Sequence, residues 1–291
     1  MTGLFVGLTT LDLIYRAEAP PQPNQKVVAS DYLVSAGGPA TNAAVAFSYL
    51  AGSARVVSVV GSHPLTHLIR ADLDTAKVTL VDLAPTRPEP PPISSIIVTE
   101  ATGERSVISI NASRFQAGEA ALPVDIFAAT QIVLLDGHQM VVGRAIAERA
   151  KVQGVPVVID GGSWKPGFEK VLALADYAIC SANFYPPGCQ TPAQVAAYLQ
   201  QLGIPHIALT RGEQPIHYWN LQTQGSVTVP GVPVVDTLGA GDIFHGAFCA
   251  AILGQDFVAA LVTAAEVAAH SCQTFGTREW MGGEAHGLAE R

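Results

Sequence analysis

Charge is scarce in this chain, and positive charge scarcer still. Of 291 residues 14% are charged, 16 Lys and Arg stand against 24 Asp and Glu, and the formal net charge is −8. So acidic a surface offers no basic face to DNA or RNA, and with 49% hydrophobic residues the composition is not that of a disordered chain. Cysteine is also sparse: Cys180, Cys189, Cys249 and Cys272 show no CxxC spacing and no matched histidine pairs, which speaks against a metal or redox framework. There is no apolar run long enough to span a bilayer and no signal-like N-terminus. The expectation is a cytoplasmic protein without membrane or nucleic-acid partners, its thiols buried and inert. The length suits one main domain, residues 1–291, with a small appendage.

What is present is alternation. Short apolar runs at 4–7, 56–60, 78–83, 132–135, 155–159, 177–180 and 206–209 read as strands, and the patterns at 41–51, 65–73, 141–153 and 192–202 read as helices. Repeated βα units predict an α/β fold with a mostly parallel central sheet and helices on both faces. Two stretches break the order. Residues 26–35 alternate like a half-exposed strand, and 93–99 with 105–110 read as a hairpin across Gly103-Glu104. Pro85, Pro88, Pro90, Pro91 and Pro92 lead into that hairpin; they form a stiff connector, or else a proline-rich ligand for another protein. A second hairpin over 216–219 and 226–229 precedes the densest motif, and an alanine-rich helix over 257–272 follows it.

That motif is Asp236-Thr237-Leu238-Gly239-Ala240-Gly241-Asp242, running into Ile243-Phe244-His245-Gly246-Ala247-Phe248. Glycines at a helix start let an anion approach the main chain, where free N–H groups and the macrodipole favour negative charge. A carboxylate there repels the anion unless it has other work. Asp242 either caps the helix or takes a proton from an attacking hydroxyl. Asp12 is expected at the C-terminal end of the first strand, where α/β sheets bind ligands, as a polyol-binding or turn-stabilising carboxylate. Asn42 falls in the first turn of its helix, aimed at a substrate hydroxyl or at the helix start. Asp136, Asp160 and Lys165 stand at strand ends; Lys165 is either a phosphate contact or a solvated lysine. His245 shares a helical face with Asp242, as a substrate contact or a packed histidine, and His63 and His67 stand at helical spacing without an acidic partner for a metal.

The heptapeptide and its helix closely resemble the C-terminal signature of the ribokinase-like (PfkB) carbohydrate kinases, and Gly37-Gly38-Pro39-Ala40-Thr41-Asn42-Ala43-Ala44 resembles that family's N-terminal substrate signature. The resemblance spans nearly the whole chain. It implies a three-layer sandwich with a small β-sheet lid, here about 13–36 and 93–111. It also implies an ATP-dependent kinase that phosphorylates a sugar hydroxyl, such as that of a ketohexose or ribose. In that scheme Asp242 is the base and Gly239, Ala240 and Gly241 form the anion hole. Asp12, Gly38, Asn42 and Asn111 bind the sugar; Asn183, Thr210, Gly212 and Gly276 serve ATP, which travels with Mg2+. Asp236 is the implied point of a monovalent cation such as K+, and lid strands are expected to pair in a homodimer. Three departures stand out: Ser62-His63-Pro64 replaces an acidic turn, Pro186 replaces the glutamate of an Asn-x-x-Glu element, and Pro215 follows the Thr210-Arg211-Gly212-Glu213 loop where glycine is common. The alternatives are a nucleoside kinase of the same family, for which no aromatic base clamp is found, and a non-catalytic sugar- or partner-binding member, motivated by Pro186. A nicotinamide-dependent dehydrogenase would need a glycine fingerprint that Gly7-Leu8-Thr9-Thr10 does not supply.

Overall fold

A computed structural model describes residues 1–110, 115–221 and 223–282. The chain enters through strand β1 (Thr2–Val6) and crosses to a smaller sheet as β2 (Thr10–Ala17) and β3 (Asp31–Gly37). It returns through α1 (Pro39–Ala51) to β4 (Ser53–Ser58), α2 (Thr66–Thr75) and β5 (Val78–Asp82). The proline connector leads back to the smaller sheet as the hairpin β6 (Ile93–Thr99) and β7 (Arg105–Ser109). Regular alternation follows: β8 (Ile132–Leu135), α3 (Met140–Gln153), β9 (Val157–Gly161), α4 (Phe168–Leu172), β10 (Tyr177–Ser181), α5 (Pro192–Gln201) and β11 (His206–Arg211). The hairpin β12 (Gln214–Asn220) and β13 (Thr223–Val227) then leads to α6 (Ala240–Ala251) and α7 (Phe257–Ser271).

The large sheet runs β13-β12-β11-β10-β9-β8-β1-β4-β5, parallel from β11 through β5 and antiparallel at β12 and β13. Its inner strands are apolar on both faces because both faces are covered. Phe5, Val56 and Ile132 pack with Phe47 of α1, Ile69 of α2, Phe248 of α6 and Leu261 of α7. Leu4, Val57 and Leu135 turn the other way, onto Ile146 of α3, Phe168 of α4 and Leu199 of α5. This is the expected three-layer sandwich.

The smaller sheet runs β3-β2-β6-β7. Its buried Ile14, Ile96 and Val98 close over Leu33, Leu238 and Phe275, which seals one face of the lid onto the loop before α6 and the turn after α7.

Several boundaries differ from the sequence reading. Asp12 is not at the end of β1, which stops at Val6; it is the third residue of lid strand β2, paired with Ser35 and Ser94. The lid therefore begins at Thr10 rather than 13. Residues 26–29 are irregular and the strand starts only at Asp31. Helix α1 begins at Pro39, whose fixed φ suits a first turn, rather than at Thr41. His63 precedes α2 instead of lying on it, and its Nδ1 accepts the N–H of Leu65, 3.2 Å away, so His63 and His67 form no helical pair.

Candidate active site

Strand β1 lies between β4 and β8, so the chain order reverses beside it, and the crevice at such a switch point opens at the strands' C-terminal ends. Asp136, just beyond β8, fills the floor of this crevice. Its Oδ2 accepts the N–H groups of Leu8 (2.8 Å) and Ala40 (3.2 Å), and its Oδ1 accepts that of His138 (2.8 Å). One carboxylate thus joins β1, β8 and the start of α1. Gly7 permits it, since a Cβ there would lie 1.9 Å from the Asp136 oxygen. Burial alone would raise the Asp136 pKa, but His138, Lys165 and the backbone donors outweigh it and hold the group at about 2.

Above this floor two helix starts converge. Gly246 of α6 has no room for a Cβ, which would meet the carbonyl oxygen of Ala43 at 2.3 Å and the Cβ of Ala46 at 2.8 Å. That close approach brings Asn42 of α1 to Asp242 of α6, where its Nδ2 donates to Oδ2 at 2.9 Å. Gly239 caps α6 in the left-handed region (φ 71°) with no side-chain hydrogen bond to the first turn, so apart from a long contact of the Ala240 N–H with the Thr237 carbonyl (3.4 Å) the leading N–H groups remain available to an anion. A Cβ at Gly241 would meet nothing within 4 Å. Gly38, also at positive φ (97°), abuts the carbonyl of Leu8 and caps α1.

Asp242 occupies the first turn of α6 and is partly buried. Desolvation, then the neighbouring Asp160 carboxylate, lift its pKa to about 6, against the opposing pull of the Asn42 amide, His245 and Arg105. Asp160, at the end of β9, is itself raised by burial, countered in part by His245. His245 is packed beneath the helix start: Nδ1 lies 2.7 Å from the carbonyl oxygen of Gly241, Nε2 lies 3.2 Å from that of Ile179, and Nε2 is 3.7 Å from Asp160. It faces the protein, not the crevice. Lys165 is likewise engaged, donating to the carbonyls of Asp136 and Ser163 at 3.2 Å each.

The lid supplies the opposite wall. Asp12, Ser35, Ser94 and Ser109 share one face of its sheet by register, the face that carries buried Ile14 and Ile96. The Ser94 hydroxyl reaches Ser109 (3.0 Å) and Thr10 donates to Asp12 (2.5 Å). Desolvation raises the Asp12 pKa, opposed by Thr10, Ser94 and Arg278. Ser35, Ser94 and Ser109 escaped the sequence reading because serine in a strand carries no signal of its own; only the register sets the three beside Asp12. The hairpin turn of the lid is fastened to the anion motif: Thr237 donates its N–H and hydroxyl to the Gly103 carbonyl, both at 3.0 Å, and Arg105 donates to the Thr237 carbonyl at 3.2 Å.

The remaining candidates are dispersed. Asn183, Thr210 and Gly212 lie beyond β10 and at the end of β11, along the C-terminal edge of the large sheet. Gly276 lies elsewhere: its N–H goes to Asp236 Oδ2 (2.8 Å) and a Cβ on it would meet Leu33 of the lid. Phe275 packs into the lid core under Arg16, its ring centre 6.0 Å from the guanidinium carbon. Asp236 Oδ1 takes the Leu238 N–H (2.8 Å), so its two carboxylate oxygens join the loop before α6 to the turn after α7. Pro186 is buried, and among the described residues no group of three or more His, Cys, Asp or Glu is arranged to hold a metal. Asn111 lies outside the described residues. Among those residues no helix is long and apolar enough to cross a membrane.

Comparison with known proteins identifies the family and the fold. A family model described as pfkB family carbohydrate kinase matches residues 4–281. The ribokinase of Bacillus subtilis (strain 168) is 24% identical over 286 residues, covering 95% of this chain and 94% of its own. A crystal structure from Agrobacterium tumefaciens, provisionally described as a ribokinase, superposes with a TM-score of 0.85 at 27% identity, across 100% and 99% of the two chains. The structure of Arabidopsis thaliana ribokinase complexed with ribose and ATP superposes with a TM-score of 0.76 at 22% identity, across 100% and 98%, a likeness of fold.

Proposed function

Because the chain belongs to the pfkB family of carbohydrate kinases, we propose that it transfers the γ-phosphoryl group of ATP to a hydroxyl of a simple sugar, with Asp242 as the base. The observation that carries this reading is the pairing of Asp242 with Asn42 at the first turn of α6, which no side chain caps. The sugar lies between the polar lid row of Asp12, Ser35, Ser94 and Ser109 and the starts of α1 and α6. Its hydroxyl oxygen attacks the γ-phosphorus, the bond to the β-phosphate oxygen breaks to release ADP, and the hydroxyl proton passes to Asp242. The N–H groups of Ala240 and Gly241, with the helix dipole, take up charge on the transferring group. A pKa of about 6 suits Asp242 to receive a proton near neutral pH.

Asn183, Thr210 and Gly212 are assigned to the nucleotide, because they continue the crevice along the strand ends. Mg2+ is expected to arrive on the ATP phosphates with water as most of its shell, since a buried proline, Pro186, stands where a metal-organising glutamate would be. The lid, fastened to Thr237, shields the reacting groups from water.

The test is ADP release with Mg-ATP across pentoses, hexoses, sugar acids and nucleosides, beside Asp242→Asn. Sugar-dependent turnover lost by at least about a hundredfold in the variant is the expected result. Equal turnover by the two proteins removes Asp242 as the base, and turnover on nucleosides alone overturns the sugar reading.

A further inference from the structure

Arg278 lies in the segment after α7, outside both sequence motifs, yet its guanidinium reaches the site. Nη1 donates to Asn42 Oδ1 (3.1 Å) and to the Thr277 hydroxyl (2.8 Å). Nη2 donates to the Ala36 carbonyl (2.6 Å) and to Asp72 Oδ2 (3.1 Å). Asp72 Oδ2 also accepts the Ala36 N–H at 3.1 Å, so strand β3, α2 and α1 meet at one side chain. Ala36 lies where the lid strand passes into α1, and both polar atoms of its backbone belong to this knot.

We propose that Arg278 is a positioning residue that fixes the amide orientation of Asn42, and through it the hydrogen bond to Asp242, while tying that orientation to the hinge of the lid. An amide has two faces, and here each has an exacting neighbour. With its oxygen toward Arg278, Asn42 presents N–H to the Asp242 carboxylate; reversed, it sets donor against donor on one side and acceptor against acceptor on the other. Removing the guanidinium fork leaves only Asp242 to choose, and once Asp242 is protonated either orientation serves. A role for Arg278 in binding an anionic substrate does not fit, because both terminal nitrogens are already shared among protein acceptors.

This inference rests on Asp242 being the base, and a titration separates the two. The charged groups that act on Asp242 besides the Asn42 dipole are Asp160 from β9, His245 from α6 and Arg105 from β7. The Asp242 carboxyl, identified in 13C-aspartate NMR spectra by its loss in Asp242→Asn, is followed through pH in the full chain. The set comprises wild type, Asn42→Ala, Arg278→Lys, Arg278→Gln and each Arg278 variant combined with Asn42→Ala. Losing a hydrogen bond to a charged group should raise the midpoint by about one pH unit in Asn42→Ala. In both Arg278 variants the ionised carboxylate still turns the amide toward itself, and only the protonated form gains a second orientation, so the midpoint should rise by a smaller amount, about 0.3 unit. The double variants should match Asn42→Ala alone, since the effect passes through that amide. A wild-type midpoint in Arg278→Lys would show that charge alone matters, and a shift that adds to that of Asn42→Ala would show a direct effect; either overturns the proposal. The titration needs no turnover, so a protein silent on every sugar would fail the kinase reading and leave this comparison standing. Where turnover is seen, kcat/KM of Arg278→Lys should fall roughly twofold below pH 6, with a smaller loss at pH 8.

Discussion

Asp242 stands in the first turn of α6, where the helix dipole favours its ionised form, yet its pKa is raised to about 6 because burial and the Asp160 carboxylate outweigh that help. Such a group acts on stability as well as on catalysis. Its folded pKa exceeds the usual 3.8, so between those values the folded state holds a proton that the unfolded chain has released. Its contribution is therefore fully present below pH 3.8 and is lost as pH rises through about 6. Asp242→Asn, which never ionises, should be the more stable protein at pH 7 to 8, by about 1–3 kcal/mol. Paired urea titrations at pH 4 and pH 8 check this: the advantage should be present at pH 8 and nearly gone at pH 4. A variant less stable at pH 8 would mean that the ionised carboxylate is held by contacts stronger than its burial. In sequence, Asp242 and Asn42 were legible because each lies in a motif with glycines at fixed offsets. Arg278 was not, because a single arginine in a Thr-Arg-Glu turn has no period, and its partners Ala36, Asn42 and Asp72 are more than 200 residues away.

Between elements, the contact that assembles the site is α1 against α6, and a missing side chain sets its spacing. The nearest atom to a Cβ at Gly246 would be a backbone oxygen, the Ala43 carbonyl at 2.3 Å, which cannot rotate away as a side chain could. Gly246→Ala should therefore push the helices apart, destabilising by about 1–3 kcal/mol although alanine is the better helix former. Asn42 and Asp242 lie on facing turns of these helices, so activity should fall more than stability alone explains. Thermal denaturation beside kcat/KM, measured well below the melting temperature, tests this; a stable variant with normal kcat/KM would show that the spacing has slack. The strands and helices of the large sheet were readable because their apolar runs are long and evenly separated. Asp12 was misplaced for a related reason. Residues 4–6 and 10–14 are both largely buried, and sequence alone does not reveal that the chain changes sheets at the turn between them. Pairing decided it, since Asp12 opposes Ser35 and Ser94 in the lid.

For the whole molecule, the lid leaves one problem unsolved within a single chain. Register places Tyr15 beside Tyr32 and Ile97 in one row, and Leu13 beside Val34 and Ser95, with Ile108 beyond Ser95 in the next. These rows lie on the face opposite Asp12 and the buried Ile14 and Ile96. Much of that face is bare: Ile108 is 80% exposed and Tyr32 67%, and every residue of β7 is exposed. An apolar sheet face with an open edge strand is a surface that other chains can cover. A second copy presents the same face, and a twofold arrangement covers both at once. The expected state is a homodimer through the lids. Sedimentation velocity over a range of micromolar concentrations should show the dimer in wild type and the monomer in a Tyr32→Lys, Ile108→Lys double variant. Both substitutions point away from the row of Asp12, Ser35, Ser94 and Ser109, so that row is left intact. Because the lid also carries Asp12 and is fastened to Thr237, loosening it should raise KM for the sugar more than it lowers kcat. A wild type that sediments as a monomer throughout would require another explanation for this exposed face, and a monomeric variant with unchanged KM would show that the lid keeps its place without a partner.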